Sequence, residues 1–271
     1  MTDLPPSWAR ATLGDLLIRI EAGKSFTCEP RPAEPDEWGV IKVSAMTWGA
    51  FREDENKAVP AHREIDPANE IKPGDILVSR ANTAEYVGAP VLVGECRPQL
   101  LLSDKSLRLV PSSEVDRRWL LNVLASPDVR RAISARATGT KESMRNISQQ
   151  ALSEIEVLVP PQAEQHRIVS SLESYLERLD SAAAILGATP DSERAFKGVL
   201  AQTVELRHAL LREAFRGRLT VQDPGDSPAT DLLEKIRIQR EAEASKQSRR
   251  ATRVSPANKR RASFQQEGLA L

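Results

Sequence analysis

Short apolar runs separated by turn-forming residues dominate the first 158 positions of the chain. Runs of four to eight apolar or β-branched residues are typical of strands, whereas apolar residues three or four positions apart are typical of helices. The pattern predicts helices over Leu13–Ile20 (behind the N-cap Thr12), Trp119–Ala125 and Val129–Ala137, and strands at Val40–Val43, Ile76–Ser79, Val87–Val93, Ser106–Val110 and Ile155–Val159. The mixture predicts an α+β fold with a mixed α/β domain over residues 1–158.

The pattern changes at Val159-Pro160-Pro161, where the last predicted strand ends. Proline is tolerated at the start of a helix, so Pro161 predicts the beginning of one. Apolar residues then recur at alternating spacings of three and four, which is typical of a helix packed along another helix. This seam consists of Val169, Leu172, Leu176, Leu179, Ala183 and Leu186. The partner is either a helix of the same chain or one of another chain.

A second helix is predicted from about residue 192 to residue 216, with Gly217 as its C-terminal stop. Between the two helices, Pro190 indicates either a hairpin or a kink in one long rod. Residues 159–218 are therefore predicted to form long coiled-coil-forming helices. Residues 219–243 are predicted to be a short helical extension, and residues 244–271 a basic disordered tail.

The charge of the chain is unevenly distributed around a net value of +0. From residue 237 to the end, nine basic residues face three acidic ones, so this segment carries +6 and residues 1–236 carry −6. Residues 97–145 carry ten basic and five acidic residues, a local excess of +5. A nucleic-acid-binding protein is usually basic as a whole. The overall balance therefore argues against that function unless the charge is segregated in space.

The sequence predicts a cytoplasmic protein without a membrane span. No apolar run reaches membrane-spanning length, and the first residues lack the apolar segment of a signal peptide. Cys28 and Cys96 match no metal-binding spacing, which favours a reducing compartment.

No catalytic, metal or cofactor site emerges from the motifs. Residues 21–25, Glu-Ala-Gly-Lys-Ser, resemble the end of a phosphate-binding loop, but the glycine required five positions before Gly23 is replaced by Ile18. The three histidines are isolated from one another, and no serine or cysteine nucleophile motif is present.

Several motifs in order along residues 5–240 resemble the specificity subunit of type I restriction–modification systems. They are Trp8 with Thr12-Leu13-Gly14-Asp15, the turn at 71–77, Thr138-Gly139-Thr140 with Asn146-Ile147-Ser148, the junction at 159–169, and the segment 210–219. The resemblance implies a non-catalytic subunit whose target-recognition domain, residues 1–158, reads double-stranded DNA. Residues 159–218 would be the conserved helical spacer that also pairs subunits.

The resemblance also implies partners. Methyltransferase subunits would bind S-adenosylmethionine and methylate adenine, with restriction subunits as further partners. The family usually has two recognition domains per chain, whereas one is found here. Either two identical chains pair, or this chain pairs with another half subunit. Pairing through the seam would use Val169, Leu172, Leu176, Leu179 and Leu186.

Candidate DNA contacts come from polar and basic residues in predicted loops, since such side chains read base edges and hold phosphates. For each of them a solvated surface position is the alternative. The candidates are Lys24, Ser25, Arg31, Arg80, Asn82, Thr83, Tyr86, Lys105, Lys141, Arg145 and Asn146. A second hypothesis for the whole chain is a coiled-coil assembly protein with a protein-binding domain, and a third is a self-contained nuclease or methyltransferase.

Overall fold

The computed structural model describes residues 4–47, 49–142, 144–187 and 193–246. For residues 185–187 and 193–200 it describes the backbone but not the side chains. The strands in this part of the chain are β1 (Ala9–Thr12), β2 (Leu17–Ala22), β3 (Gly39–Ile41), β4 (Asn56–Ala58), β5 (Ile76–Ser79), β6 (Ala81–Asn82), β7 (Pro90–Leu92), β8 (Leu100–Leu101), β9 (Ser106–Pro111), β10 (Thr138–Lys141), β11 (Met144–Asn146) and β12 (Glu156–Val159). The α-helices are α1 (Leu13–Leu16), α2 (Arg117–Ala125), α3 (Pro127–Arg136), α4 (Gln149–Ser153), α5 (Gln162–Gly187), α6 (Glu193–Ala214) and α7 (229–246). The mixed α+β prediction is confirmed.

The strands form four small sheets. An antiparallel sheet in the order β2-β9-β5-β7 is the largest, and a second sheet, β4-β3-β8, combines an antiparallel and a parallel pair. A third sheet, β10-β11-β6, is antiparallel throughout, and β1 pairs with β12. Because β2 and β5 both run antiparallel to β9, they end at the edge of the sheet where β9 begins.

The main hydrophobic core joins the N-terminal domain to the three C-terminal helices. Trp119 of α2 is fully buried in it, together with Leu172 of α5, Ala214 of α6 and Ile236 of α7. A second cluster, which includes Leu77 and Leu100, lies between the largest sheet and the β4-β3-β8 sheet. The helices therefore share a core with the domain. The division into separate segments at residues 158 and 218 stays a prediction.

The helix predicted over Leu13–Ile20 is wrong beyond its first turn. Thr12 caps α1 as expected, with Asp15 completing a capping box, but the chain enters β2 at Leu17. The pairing of β2 with β9 explains the difference, because this non-local ladder overrides the local helical spacing. The strand predicted over Val87–Val93 is reduced to β7, because Val87 and Gly88 lie in a turn, and the other predicted elements of the domain are found with small shifts of their ends.

Helices α5 and α6 pack against each other as a hairpin. Arg207 of α6 donates to Asp180 of α5 at 2.6 Å. Gly217 adopts φ +69 after α6, as expected of a C-terminal stop. Pro190 lies outside the described residues. Of the described helices, none is both long and apolar enough to cross a membrane.

The structure corrects part of the predicted pairing seam. Val169 and Leu172 are 6% and 0% exposed and lie in the chain's own core, so they do not pair with another chain. Leu176 and Leu179 are half-buried on the hairpin, whereas the side chain of Leu186 lies outside the described residues.

The C-terminal helix α7 begins and ends later than the predicted extension over residues 219–243, because residues 219–228 are not helical. The tail was expected to begin at residue 244, but residues 244–246 continue the helix, and the remainder of the tail lies outside the described residues. Gln239 of α7 accepts a hydrogen bond from Ser112 Oγ at 2.5 Å, and Ala229 donates its N–H to the carbonyl of Ser7. The helix is thus bonded to the domain at its first residue and near its middle.

Candidate nucleic-acid interface

Three of the predicted DNA-contacting residues meet at one edge of the largest sheet. Lys24 follows the end of β2, Arg80 follows the end of β5, and Lys105 precedes the start of β9. Their strands end or begin side by side, since Ala22 pairs with Leu107 and Ser79 with Ser106. Arg80 also donates its N–H to the carbonyl of Lys105 at 2.9 Å. Sheet topology, rather than sequence proximity, therefore collects these basic residues.

A basic cleft opens beside this edge, between the largest sheet and the β4-β3-β8 sheet. Its volume is about 470 Å³, and four lysines, three serines, one aromatic ring and the acidic residue Asp104 line it. We call it the lysine cleft; besides Asp104, those residues are Lys24, Lys42, Lys57, Lys105, Ser25, Ser44, Ser103 and Phe26. Ammonium and hydroxyl groups of this kind are donors for phosphate oxygens, so the cleft suits a polyanion.

Gly23 brings Lys24 to the wall of the cleft. A Cβ at position 23 would lie 2.2 Å from the carbonyl oxygen of Leu102, so only glycine allows the two backbones to approach so closely. The contact lets Lys24 and Ser103 form a parallel bridge. No helix follows in residues 26–30, so the alternative of a phosphate-binding loop, which places anions at a helix N-terminus, is excluded for Gly23-Lys24-Ser25.

Two of the four lysines of the cleft form ion pairs with carboxylates. Lys24 pairs with Asp66 at 3.0 Å, and Lys42 pairs with Glu55 at 2.6 Å. Lys24 holds the pKa of Asp66 below its ordinary value, with help from the N–H of Ala68. Lys42 likewise lowers the pKa of Glu55, followed by the hydroxyl of Ser44. Within the described part of the chain, Lys57 and Lys105 have no carboxylate partner.

A polar ribbon projects near the cleft and is formed by β10 and β11. The ribbon packs edge to edge on β6, where Asn82 lies opposite Arg145. All four residues of β10 are exposed, including Lys141, and Asn146 is exposed on β11. A two-stranded ribbon of this kind fits the major groove of B-DNA, and its polar side chains suit base edges or phosphates.

Arg145 stabilises the ribbon from within. Its guanidinium donates to the carbonyl of Ala137 at 2.6 Å and to that of Gly139 at 3.1 Å. Gly139 adopts φ +123, and the register of the ribbon shifts between Thr138 and Lys141. Arg145 therefore holds the shape of the ribbon, which is a different use of the residue from the DNA contact predicted from the sequence.

The other predicted contacts are placed as follows. Asn82 donates to Ser79 Oγ and accepts from the N–H of Thr83, and both residues lie at the base of the ribbon. Tyr86 lies in the next turn, where a hydrogen bond with Glu85 raises its pKa. Arg31 is engaged within the protein, because its guanidinium donates to the carboxylates of Glu37 and Glu29 at 2.6 to 2.9 Å. The base contacts themselves stay predictions.

Sequence reasoning missed Lys42, Lys57, Ser44 and Ser103. A signal existed for Lys57, which is exposed between the buried Asn56 and Ala58 of a short strand. Lys42, Ser44 and Ser103 gave no such signal, because the segments that carry them approach the rest of the cleft only in the folded protein. Among the described residues, no group of three or more histidine, cysteine, aspartate or glutamate side chains could hold a metal ion.

No protein-family model matches the chain. The chain is 33% identical over 180 residues to the EcoEI type I restriction enzyme specificity subunit of Escherichia coli, covering 66% of the chain and 30% of the relative. It is 27% identical to the EcoKI specificity subunit of E. coli strain K12, over 80% of the chain and 48% of the relative. The chain is 26% identical to the EcoBI specificity subunit of E. coli, over 91% of the chain and 51% of the relative. The chain therefore spans between 30% and 51% of the length of these curated relatives.

Two solved structures are also similar. One is the crystal structure of the HsdS subunit from Thermoanaerobacter tengcongensis, at 21% identity and a TM-score of 0.47, covering 80% of this chain and 46% of that one. The other comes from a study of the assembly of a type I restriction–modification system, at 23% identity and a TM-score of 0.46, covering 80% and 47%. By its sequence relatives, the chain belongs to the family of type I restriction enzyme specificity subunits.

Proposed function

We propose that the chain is a DNA sequence-recognition subunit of a type I restriction–modification complex. The observation that carries the proposal is the position of Lys105: it lines the lysine cleft, and its carbonyl accepts from the N–H groups of Arg80 and of Ala81, the latter in the strand on which the polar ribbon packs. Phosphate contacts fix the register of a protein on DNA, and side chains in a groove read the bases. A basic cleft next to a ribbon of groove-compatible width offers both. The cleft also gathers basic side chains in one place, and a chain of zero net charge needs such a local concentration of positive charge to bind DNA.

In this proposal the chain has no catalytic role of its own. It directs adenine methylation to its target in the cytoplasm, and partner methyltransferase subunits carry out the reaction with S-adenosylmethionine. Restriction subunits are further partners in this proposal, and cleavage is a property of the whole complex.

We further propose that a second recognition domain comes from another copy of the chain or from another half subunit. The described part of the chain has one candidate interface, and apolar side chains remain exposed on the hairpin: Tyr175 is 44% exposed and Leu206 is 51% exposed. Helix α5 is about 40 Å long at 1.5 Å per residue, close to one turn of B-DNA. Two chains paired through their hairpins would read a bipartite target, which is an inverted repeat if the chains are identical.

The experiment is a genome-wide map of methylated adenines in the host, with and without this gene. Loss of methylation at one bipartite motif is the expected result. An inverted repeat supports two identical chains, and an asymmetric motif supports a second, different recognition domain. If no motif changes while the methyltransferase subunits are expressed, the recognition role is wrong. The protein would then be better explained as a coiled-coil assembly protein with a protein-binding domain.

A further inference from the structure

Asp104 lines the lysine cleft itself, and two further carboxylates, those of Asp66 and Glu55, pair with its lysines. These two are held in place by the protein as well as by the lysines. Asp66 accepts from Lys24 with one oxygen and from the N–H of Ala68 with the other, at 3.0 and 3.1 Å. Glu55 accepts from the hydroxyl of Ser44 at 2.5 Å in addition to Lys42 at 2.6 Å. Because each carboxylate has a second anchor, it stays beside its lysine instead of moving freely in solvent.

These ion pairs reduce the charge that the cleft presents to a phosphate. Two of its four lysines are neutralised, whereas Lys57 and Lys105 have no carboxylate partner among the described residues. Both pairs are solvent-exposed, with side-chain exposures between 27% and 60%. Exposed ion pairs in water are weak, so a phosphate held at the right position can displace the carboxylate.

We propose that Asp66 and Glu55 restrain Lys24 and Lys42 and thereby limit binding to DNA that lacks the target sequence. The inference rests on the proposed DNA-recognition function. Binding to non-target DNA comes almost wholly from phosphate contacts, so restraining two lysines weakens it directly. At the target, base contacts fix the register of the duplex and hold a phosphate against each restrained lysine. The two carboxylates therefore increase discrimination between target and non-target DNA.

The test measures binding of the full chain to a labelled random-sequence duplex across salt concentrations. The variants Asp66→Asn and Glu55→Gln keep an acceptor for Ala68 and Ser44, so the local structure is retained. Each should bind about fivefold to tenfold more tightly at 0.1 M salt, with a log–log salt slope steeper by about 0.9, because one more phosphate is neutralised. The matched control is Glu173→Gln, which removes a carboxylate from an exposed pair with Arg118 elsewhere on the surface.

A double-mutant comparison assigns the effect to the lysine. In the unmodified chain, Lys24→Ala should weaken random-duplex binding, because it leaves Asp66 as an unpaired carboxylate beside the DNA. In the Asp66→Asn background, the same substitution should abolish the gain and restore the shallower slope. A double variant that binds the random duplex as tightly as Asp66→Asn alone would overturn the inference.

Two further variants separate this inference from the proposed function. Lys57→Ala and Lys105→Ala should each weaken random-duplex binding and reduce the slope by about 0.9. If neither changes binding, the cleft is not the DNA site, and both the inference and the site assignment are wrong. The alternative outcome is that Lys57→Ala and Lys105→Ala weaken binding, while Asp66→Asn and Glu55→Gln bind the duplex with the same affinity as the control Glu173→Gln. In that case the cleft binds DNA, but the carboxylates do not restrain Lys24 and Lys42.

Discussion

Trp8 donates its indole N–H to Oε2 of Glu164 at 2.8 Å, across 156 residues of sequence. The other oxygen of this carboxylate accepts from Thr220 Oγ1 at 3.0 Å and from Gln222 Nε2 at 2.5 Å. Glu164 is fully buried in the first turn of α5. One carboxylate therefore joins the N-terminal segment, the start of the hairpin and the segment that follows the hairpin.

Replacing Glu164 by alanine should strongly destabilise the protein. The substitution leaves the buried N–H of Trp8 without its acceptor and removes three hydrogen bonds to a charged group. We expect the free energy of unfolding to fall by about 2–4 kcal/mol, measured by urea denaturation. The control Glu173→Ala, on the exposed side of the same helix, should cost at most about 1 kcal/mol. Similar losses for the two variants would contradict the role given to Glu164.

The ion pair of Glu37 should make stability depend on acid pH. Arg31, followed by the N–H of Glu34, lowers the pKa of Glu37 to about 2. An unfolded glutamate titrates at about 4.3, so the pair stabilises the folded state above that pH and loses its effect as the pH falls through about 2. The unfolding free energies of the native chain and Glu37→Gln should therefore differ above pH 4.5, roughly, and converge towards pH 2.

The pH series needs a charge-matched control. Glu95→Gln removes an exposed carboxylate that forms no ion pair within the described residues. Its curve should run parallel to that of the native chain. A constant difference between the native chain and Glu37→Gln across the whole series would show that the ion pair is not responsible.

Gly139→Ala should damage the polar ribbon. Position 139 adopts φ +123, and an added Cβ would lie 2.4 Å from the carbonyl oxygen of Met144. Strain of this kind costs on the order of 1–3 kcal/mol, and we expect DNA affinity to fall about tenfold or more. Gly94→Ala is the control, because an added Cβ there meets no atom within 4 Å. Unchanged DNA binding by Gly139→Ala would remove the ribbon from the interface.

Leu206→Glu should separate paired chains if the hairpins associate. Leu206 is 51% exposed and lines an apolar groove on the hairpin with Tyr175, Leu179 and Leu210. A charge buried at a helix–helix contact is costly, so sedimentation should show a shift from dimer to monomer. Val221→Glu places the same charge at an 89% exposed position after the hairpin and should not change the mass. A native chain that is monomeric at all concentrations tested would exclude self-pairing.

Local interactions made much of this structure predictable from the sequence. The N-cap at Thr12 and the stop at Gly217 depend mainly on neighbouring residues, and the turn at Gly74 marks where the strand over Ile76–Ser79 begins. The same holds for the α5 helix, whose amphipathic spacing is visible in the sequence. Where non-local pairing competes with a local pattern, the prediction is wrong, as for Leu17–Ala22, which joins β9 instead of extending a helix.

The sequence by itself determined the family, the mixed α+β class and the long helices, since motifs and periodicity are properties of consecutive residues. Only the tertiary structure decided which cations act together. Lys42 and Lys57 join Lys24 and Lys105 because two sheets meet there, and the burial of Val169 and Leu172 follows from the packing of α5 against the domain. Ion pairs such as Lys24 with Asp66 also depend on backbone segments that are distant in sequence. The sequence lists the charges, whereas the fold determines which of them remain free to bind a phosphate.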